Sequence, residues 1–463
     1  MIPTRWSQAG LTVSAALVGV GLLHAQESKS MLPVPDASRR VNIIFILADD
    51  LGAEALGCYG GVKFTDGKKE VFGLVKTPNL DALAQAGIRF EHCFATPVCS
   101  PSRAQFLTGK YNFRVGFPDI LGRNGATRSL DAQAHPTVAM RLKEVGYVTA
   151  VVGKWHLGDA GGGKAVPKSA DQDTTCVHAR ECGFDRQCLF GGEHLEDYGE
   201  PQKGSYTPDI LQDWALRFLD SRKGKTEPFF LYYASPIPHF SYLPTPLNPD
   251  GPGRGDDKMG KMYGNMKNFP YLVEYLDKQV GEILAKLKEL GMRENTLVVF
   301  AGDNGTPPWL VTEMRDGRKI QWGKGTMKDT GSWVPFLASW PGQIAGESIY
   351  GGLADFSDIM PTCLELAGAQ VPSGLDGVSF APQLQSKPGK PREWVHSHYV
   401  NQCFVRDTKW KLRENGELYD VSGAPYVEKL VPPDQDTTES KAARVRLKIV
   451  LERLHPTEGN GKR

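Results

Sequence analysis

With 463 residues the chain is longer than one hydrophobic core usually supports, which predicts a large domain with a smaller one attached. Apolar residues make up 40% and charged residues 23%, and 54 Lys+Arg against 53 Asp+Glu leave a formal net charge of +1. This balance excludes a basic chain held on nucleic acid by bulk charge, so no nucleic-acid partner is expected; it also excludes an acidic disordered chain, and eight cysteines in this length do not make a disulfide scaffold.

Arg5 precedes an uncharged, mostly apolar stretch over 11–23, and Leu23-His24-Ala25 ends in a small residue before Gln26. That is the pattern of a secretory signal peptide over 1–25, and the apolar stretch falls short of the ~20 residues a membrane-spanning helix needs. No later segment is long and apolar enough to span a bilayer. The sequence therefore predicts an exported protein, periplasmic or secreted, with no membrane association after cleavage.

Beyond the leader, short apolar runs alternate with amphipathic stretches. Residues 41–47 (VNIIFIL) form a continuous apolar run, as expected of a strand buried on both faces. Residues 146–152, 228–234, 296–301 and 334–340 read alike. Helical periodicity appears over 136–145 and 271–290; in the latter, Leu272, Leu276, Val280, Ile283, Leu284 and Leu287 share a face, and Gly291 caps the end. The alternation predicts an α/β fold: a large, mostly parallel sheet flanked by helices on both faces. Near 385–392 (QSKPGKPR) a polar, Pro-bearing linker separates a catalytic domain over 26–390 from a small C-terminal subdomain over 391–463. That subdomain reads as an antiparallel sheet, with strands near 395–400, 403–406 and 410–412, an Asn415-Gly416 hairpin turn, and a helix over 441–454.

In a parallel sheet ligands gather at the carboxyl ends of the strands. There the sequence supplies Asp49-Asp50, then Lys154 and His156, then His239, then Asp303-Asn304. One such ending is unremarkable, because Asp and Asn favour turns, but four rich in ligand and proton-transfer groups point to one site. Asp49, Asp50, Asp303 and Asn304 offer only oxygen, which suits a hard cation such as Ca²⁺ or Mg²⁺. Asn304-Gly305-Thr306 also fits a glycosylation sequon, and a glycan there is incompatible with a ligand role. A thiol at Cys99 is a poor companion for such a cation unless its side chain becomes an oxygen-bearing group.

The segment Cys99–Lys110 resolves that mismatch. Cys99, Pro101, Ser102 and Arg103, followed by Leu107, Thr108 and Gly109, resemble the signature of the formylglycine-dependent, arylsulfatase-like sulfatases of the alkaline phosphatase superfamily. The resemblance runs from Asn42 to the C-terminal subdomain, with Asp49-Asp50, Gly153-Lys154-Trp155-His156, Pro238-His239, Gly302-Asp303-Asn304-Gly305 and Gly323-Lys324-Gly325 in the expected order. It implies that a maturation enzyme converts Cys99 to formylglycine, and that Asp49, Asp50, Cys99, Asp303 and Asn304 hold one divalent cation, usually Ca²⁺. It further implies that Arg103 and Lys154 hold the formylglycine oxygens, Lys324 and His239 the sulfate, with His239 as general acid and His156 as the base for sulfate release. The activity implied is hydrolysis of a carbohydrate or aryl sulfate monoester to an alcohol and inorganic sulfate. A phosphonate or phosphate ester hydrolase of the same superfamily and an inactive protein that binds sulfated glycans are the alternatives.

Other features stay open at this level. Cys176, Cys182 and Cys188 fit no common zinc spacing, and export favours a disulfide within or near them. His396 and His398 share one strand face, where packing or surface roles are expected. Long loops over 158–175, 243–268 and 306–321 are expected around the pocket mouth, where Trp155, Trp309 and Trp322 stack on substrate or simply pack.

Overall fold

The structure, a computed structural model, describes residues 40–159, 169–171, 173–190, 206–253, 264–423 and 426–454. The expected signal peptide and much of the loops over 158–175 and 243–268 lie outside the described residues.

In chain order the strands are β1 (Asn42–Ala48), β2 (Gly61–Thr65), β3 (Val71–Leu74), β4 (Ile88–Phe94), β5 (Val148–Lys154), β6 (Arg186–Phe190), β7 (Phe229–Ser235), β8 (Thr296–Gly302), β9 (Val311–Met314), β10 (Lys319–Gln321), β11 (Trp333–Val334), β12 (Phe336–Ser339) and β13 (Ser348–Asp355). The C-terminal region adds β14 (Val395–Tyr399), β15 (Gln402–Arg406), β16 (Trp410–Arg413), β17 (Leu418–Asp420) and β18 (Lys429–Val431). The large sheet has the order β11-β4-β12-β8-β1-β7-β5-β6, with β13 against β4. Its centre is parallel: β1 pairs with β7 and β8, and β5 with β6 and β7. Every residue of β1 is buried, with Ile43, Phe45 and Leu47 in the core on one face and Ile44, Ile46 and Ala48 in the core on the other. That two-sided burial is why the strand reads as an unbroken apolar run.

The expected strand over 334–340 is divided at Pro335 into β11 and β12, since proline brings no N–H to a ladder. Both pieces run antiparallel to their neighbours. The helix expected over 271–290 is Phe269–Glu289; Leu284 lies only partly in its buried face, and Gly291 takes φ 68° beyond its end. The loop over 306–321 is not irregular: it carries β9 and β10, which join β2 and β3 in a separate four-stranded sheet.

The five C-terminal strands form the antiparallel sheet β14-β15-β16-β17-β18, with helix Thr438–Leu454 packed on it through Ala443, Leu447, Val450 and Leu454. The Asn415-Gly416 turn is present, with Gly416 at φ 84°. Arg392, at the end of the linker-like segment, is half-buried and tucks its side chain against Asp358 and Ser357, while Arg406 and Lys411 share Asp329. Paired charges of this kind hold a small sheet in one orientation.

The expected disulfide is a correction: all eight cysteines are free thiols. Cys176 and Cys182 lie in the core on one face of the large sheet and Cys188 in the core on the other. Cys176 Sγ is occupied as the cap of a short helix, accepting from Ala179 N–H at 3.3 Å and donating to Asp159 O. His396 and His398 are buried against Tyr111 and Phe113, a packing role.

Candidate active site

The carboxyl ends of β8, β1, β7 and β5, four adjacent strands, deliver Asp303-Asn304, Asp49-Asp50, His239 and Lys154 with His156. Strand β4 is antiparallel to β12, and β12 to β8, so β4 runs in the direction of β8 and releases the chain at the same edge. Helix Cys99–Thr108 starts there, with every residue buried and Cys99 at its first position. Lys324 arrives differently. It precedes β11, whose antiparallel sense puts the beginning of that strand at this edge.

Two backbone features aim these groups. Asp50 and His156 have φ 67° and 54°, left-handed conformations that L-residues seldom adopt outside functional turns. Gly153 has φ 104°, and a Cβ there would lie 1.8 Å from Ala234 O, so only glycine allows β5 and β7 to approach this closely before Lys154.

The charges are buried and interlocked. Arg103 donates to Asp303 Oδ2 through Nε and Nη2, at 3.1 and 2.7 Å, and through Nη1 to Lys154 O and the Tyr232 hydroxyl. Lys154 Nζ lies 2.6 Å from Asp49 Oδ2, and Lys324 Nζ 2.6 Å from both Asp50 oxygens. Asp303 Oδ1 accepts the Asp50 N–H at 3.0 Å, and Asn304 Nδ2 donates to Asp50 Oδ1 at 2.8 Å. Cys99 Sγ sits 3.2 Å from His156 Nδ1 and 3.9 Å from Lys154 Nζ. His239 Nδ1 is 2.6 Å from Phe240 O, which can only accept, so that nitrogen carries the proton; Nε2 faces Asp50 Oδ2 at 3.7 Å. Sequence-predicted Arg103 thus grips the acidic residues and Lys154, while Cys99 is met directly by Lys154 and His156.

Burial opposes ionisation of Asp49, but the charges of Lys154, Arg103 and Lys324 hold its carboxyl well below the usual range. Asp303 is pushed well above that range, by burial and then by the charge on Asp49, against Arg103. Burial also raises Cys99, yet Lys154 and His156 bring its thiol down to about 6. His239 is driven well below 6.5 by burial and by Lys154, so its ring is neutral near pH 7.

A hard cation fits these residues. Asp49 Oδ1 and Asn304 Oδ1 are buried without a hydrogen-bond partner. One oxygen each from Asp49 and Asp303 lies with Cys99 Sγ inside a 4.8 Å group, and Asp49, Asp50 and His239 form another. Adjacent carboxylates whose ionisation is driven apart, together with orphaned oxygens, are what a divalent cation relieves. Asn304 is fully buried, which closes the glycosylation reading.

Some functional neighbours escaped sequence reasoning. Glu54 is buried and hydrogen-bonded by the Thr306 hydroxyl, and burial raises its carboxyl to about 7. Tyr232 lies within β7, where it reads as one more apolar core residue. Trp155 is wholly buried and donates to His178 Nδ1 at 2.9 Å, a packing role, whereas Trp309 is 44% exposed.

Carboxylates, lysines and imidazoles converging on the Cys99 side chain suit a hydrolase for esters of a small oxyanion, whose charge such groups stabilise during transfer. The chain belongs to the sulfatase family, whose Sulfatase domain matches residues 41–369, and it is a sulfuric ester hydrolase. It is 34% identical to human arylsulfatase A over 384 residues, covering 77% of this chain and 70% of that one. N-acetylglucosamine-6-O-sulfatase of Bacteroides thetaiotaomicron is 26% identical over 467 residues, covering 80% and 75%. The solved structure of Ps i-CgsB shares the fold, with a TM-score of 0.69 and 24% identity over 91% of this chain and 94% of that one. Among the described residues, no helix is long and apolar enough to cross a membrane.

Proposed function

We propose that the chain is an exported, Ca²⁺-holding sulfatase in which a maturation enzyme converts Cys99 to formylglycine, and that it removes sulfate from a sugar or aryl monoester. Residues 26–390 form the catalytic domain and 391–463 the smaller subdomain. The relative named N-acetylglucosamine-6-O-sulfatase supports a carbohydrate ester. The observation that carries the reading is the position of Cys99 Sγ, 3.2 Å from His156 Nδ1 and grouped with Asp49 and Asp303 oxygens.

Asp49, Asp50, Asp303 and Asn304, with the modified residue 99, would hold the cation, which when bound supplies Lewis-acid polarisation of a sulfate oxygen. As a hydrated aldehyde, residue 99 supplies an oxygen nucleophile in place of sulfur. Lys324 and Lys154 offset the negative charge of the ester, and Arg103 keeps Asp303 and the Lys154 carbonyl in register. His239, neutral at rest with its proton on Nδ1, would take a second proton at Nε2 and give that one to the leaving alcohol. His156 Nδ1 takes the proton from the side chain of residue 99 that releases sulfate.

Mass spectrometry of the peptide bearing Cys99 tests this. Co-expression with a maturation enzyme should yield the aldehyde, together with turnover of a sulfate ester. Full turnover with unmodified Cys99 would overturn the chemistry, and faster turnover of a matched aryl phosphonate would move the substrate to phosphorus.

A further inference from the structure

Glu54 takes no part in the chemistry above, yet it is 1% exposed and lies in the turn that leaves the Asp49-Asp50 loop. Its carboxyl folds back over Gly52: a Cβ at Gly52 would fall 2.3 and 2.5 Å from the two carboxylate oxygens. Gly52 has φ −73°, so no strained backbone calls for glycine there, and its bare Cα leaves room for the Glu54 carboxyl in this position. Oε1 accepts a hydrogen bond from the Thr306 hydroxyl, and that hydroxyl oxygen accepts the Gly52 N–H at 3.1 Å. The Thr306 carbonyl accepts the N–H groups of Gly323 and Lys324, at 3.2 and 3.1 Å. The Glu54 carboxyl and the Thr306 hydroxyl together tie the loop of Asp49 and Asp50 to the loop of Asp303 and Asn304, and through Thr306 to Lys324.

The second carboxylate oxygen of Glu54 is buried with no hydrogen-bond partner. Keeping such an atom dry is unfavourable, and an apolar side chain would fill the same volume at lower cost. What only a polar acceptor contributes here is its hold on Thr306. Cation ligands need placement within about 0.5 Å, and two separate loops and the start of helix Cys99–Thr108 supply them, with Lys324 on a third loop.

We propose that Glu54 is a positioning residue: acting through Thr306, it sets the spacing of the two cation-holding loops without touching cation or substrate. The proposal rests on the cation site of the proposed function. Its test is calorimetric titration of the EDTA-stripped full chain with Ca²⁺, together with kinetics on a sulfate ester at limiting and saturating Ca²⁺.

Glu54→Ala and Thr306→Val should bind Ca²⁺ about 10-fold more weakly, the lower end of what supporting residues of metal sites contribute. At limiting Ca²⁺ their kcat should fall while KM stays unchanged, and excess Ca²⁺ should restore it. Glu54→Gln keeps an acceptor for Thr306 and should stay within about twofold of the parent chain. Should Glu54→Ala fail to fold, Thr306→Val, which preserves the packing, decides. Folded variants that bind Ca²⁺ as tightly as the parent overturn the positioning role while leaving the cation site intact. A parent chain that binds no divalent cation overturns the site itself, and the positioning role with it.

Discussion

The ammonium of Lys324 lies 2.6 Å from both carboxylate oxygens of Asp50, so a residue proposed to hold the cation also anchors the one proposed to hold sulfate. Burial raises the Asp50 carboxyl, and Lys324 works against that rise. The lysine and a divalent cation therefore draw on the same oxygens, and the sulfate ester offers the ammonium a second anion to bind.

From this sharing, Lys324→Ala should separate two properties that usually fall together. Turnover of a sulfate ester should drop about 100- to 1000-fold, as on loss of one transition-state donor. Ca²⁺ affinity should rise, because a competing positive charge has left Asp50. Parallel kinetics and calorimetry check both signs. Weaker Ca²⁺ binding would show that the lysine supports the cation site instead of competing with it.

Arg103 is fully buried and bound to Asp303, the Lys154 carbonyl and Tyr232. Arg103→Ala leaves Asp303 fully buried without its guanidinium partner, so chemical denaturation in EDTA should show a loss of about 3–5 kcal/mol. Added Ca²⁺ should recover part of it. Arg103→Lys should recover little, since an ammonium cannot reproduce the guanidinium fork. A lysine variant as stable as the parent would contradict that account.

His239 is neutral at rest, with its proton on Nδ1 and burial and Lys154 keeping a second proton off. A poor leaving group needs that second proton, so kcat/KM for a sugar sulfate should increase as pH falls through 6.5 toward the lowered pKa of the free enzyme. His239→Ala should cost about 100-fold on the sugar ester and markedly less on nitrophenyl sulfate, whose leaving group departs unaided. Equal losses on the two substrates would remove the acid role.

Burial lifts the Glu54 carboxyl from 4.5 to about 7, against the pull of the Thr306 hydrogen bond. Between these values the unfolded chain has released its proton and the folded chain has kept it. The contribution to stability is therefore whole below 4.5 and lost as pH rises through about 7, a swing on the order of 3 kcal/mol. Glu54→Gln removes this group from both states. Its stability measured by denaturation across that range should lack the decline seen in the parent, and identical slopes would show that Glu54 does not titrate there.

The apolar run of β1, the strand-end residues and the segment from Cys99 to Gly109 were legible because each depends on neighbours in sequence. The antiparallel sense of β11 and β12 was not, and neither were β4, β6 and β13. In β13 exposed and half-buried residues alternate, and its register shifts between Tyr350 and Leu353. A pattern of that kind records how a strand is buried but not which strand it pairs with. Glu54 offered no signal at all: in GAEALG it looks like a solvated residue, and its partner Thr306 lies 252 positions away.

By itself the sequence determined which chemical groups stand at the strand ends and that their oxygens suit a hard cation. Those are properties of residue type and local periodicity. Only the tertiary structure decided that Lys324 enters from the start of an antiparallel strand, that Arg103 clasps Asp303 across 200 positions, and that Glu54 folds back over Gly52 to meet Thr306. Contacts of that range, and the burial that shifts each ionisation, come into being only when distant segments pack and exclude water.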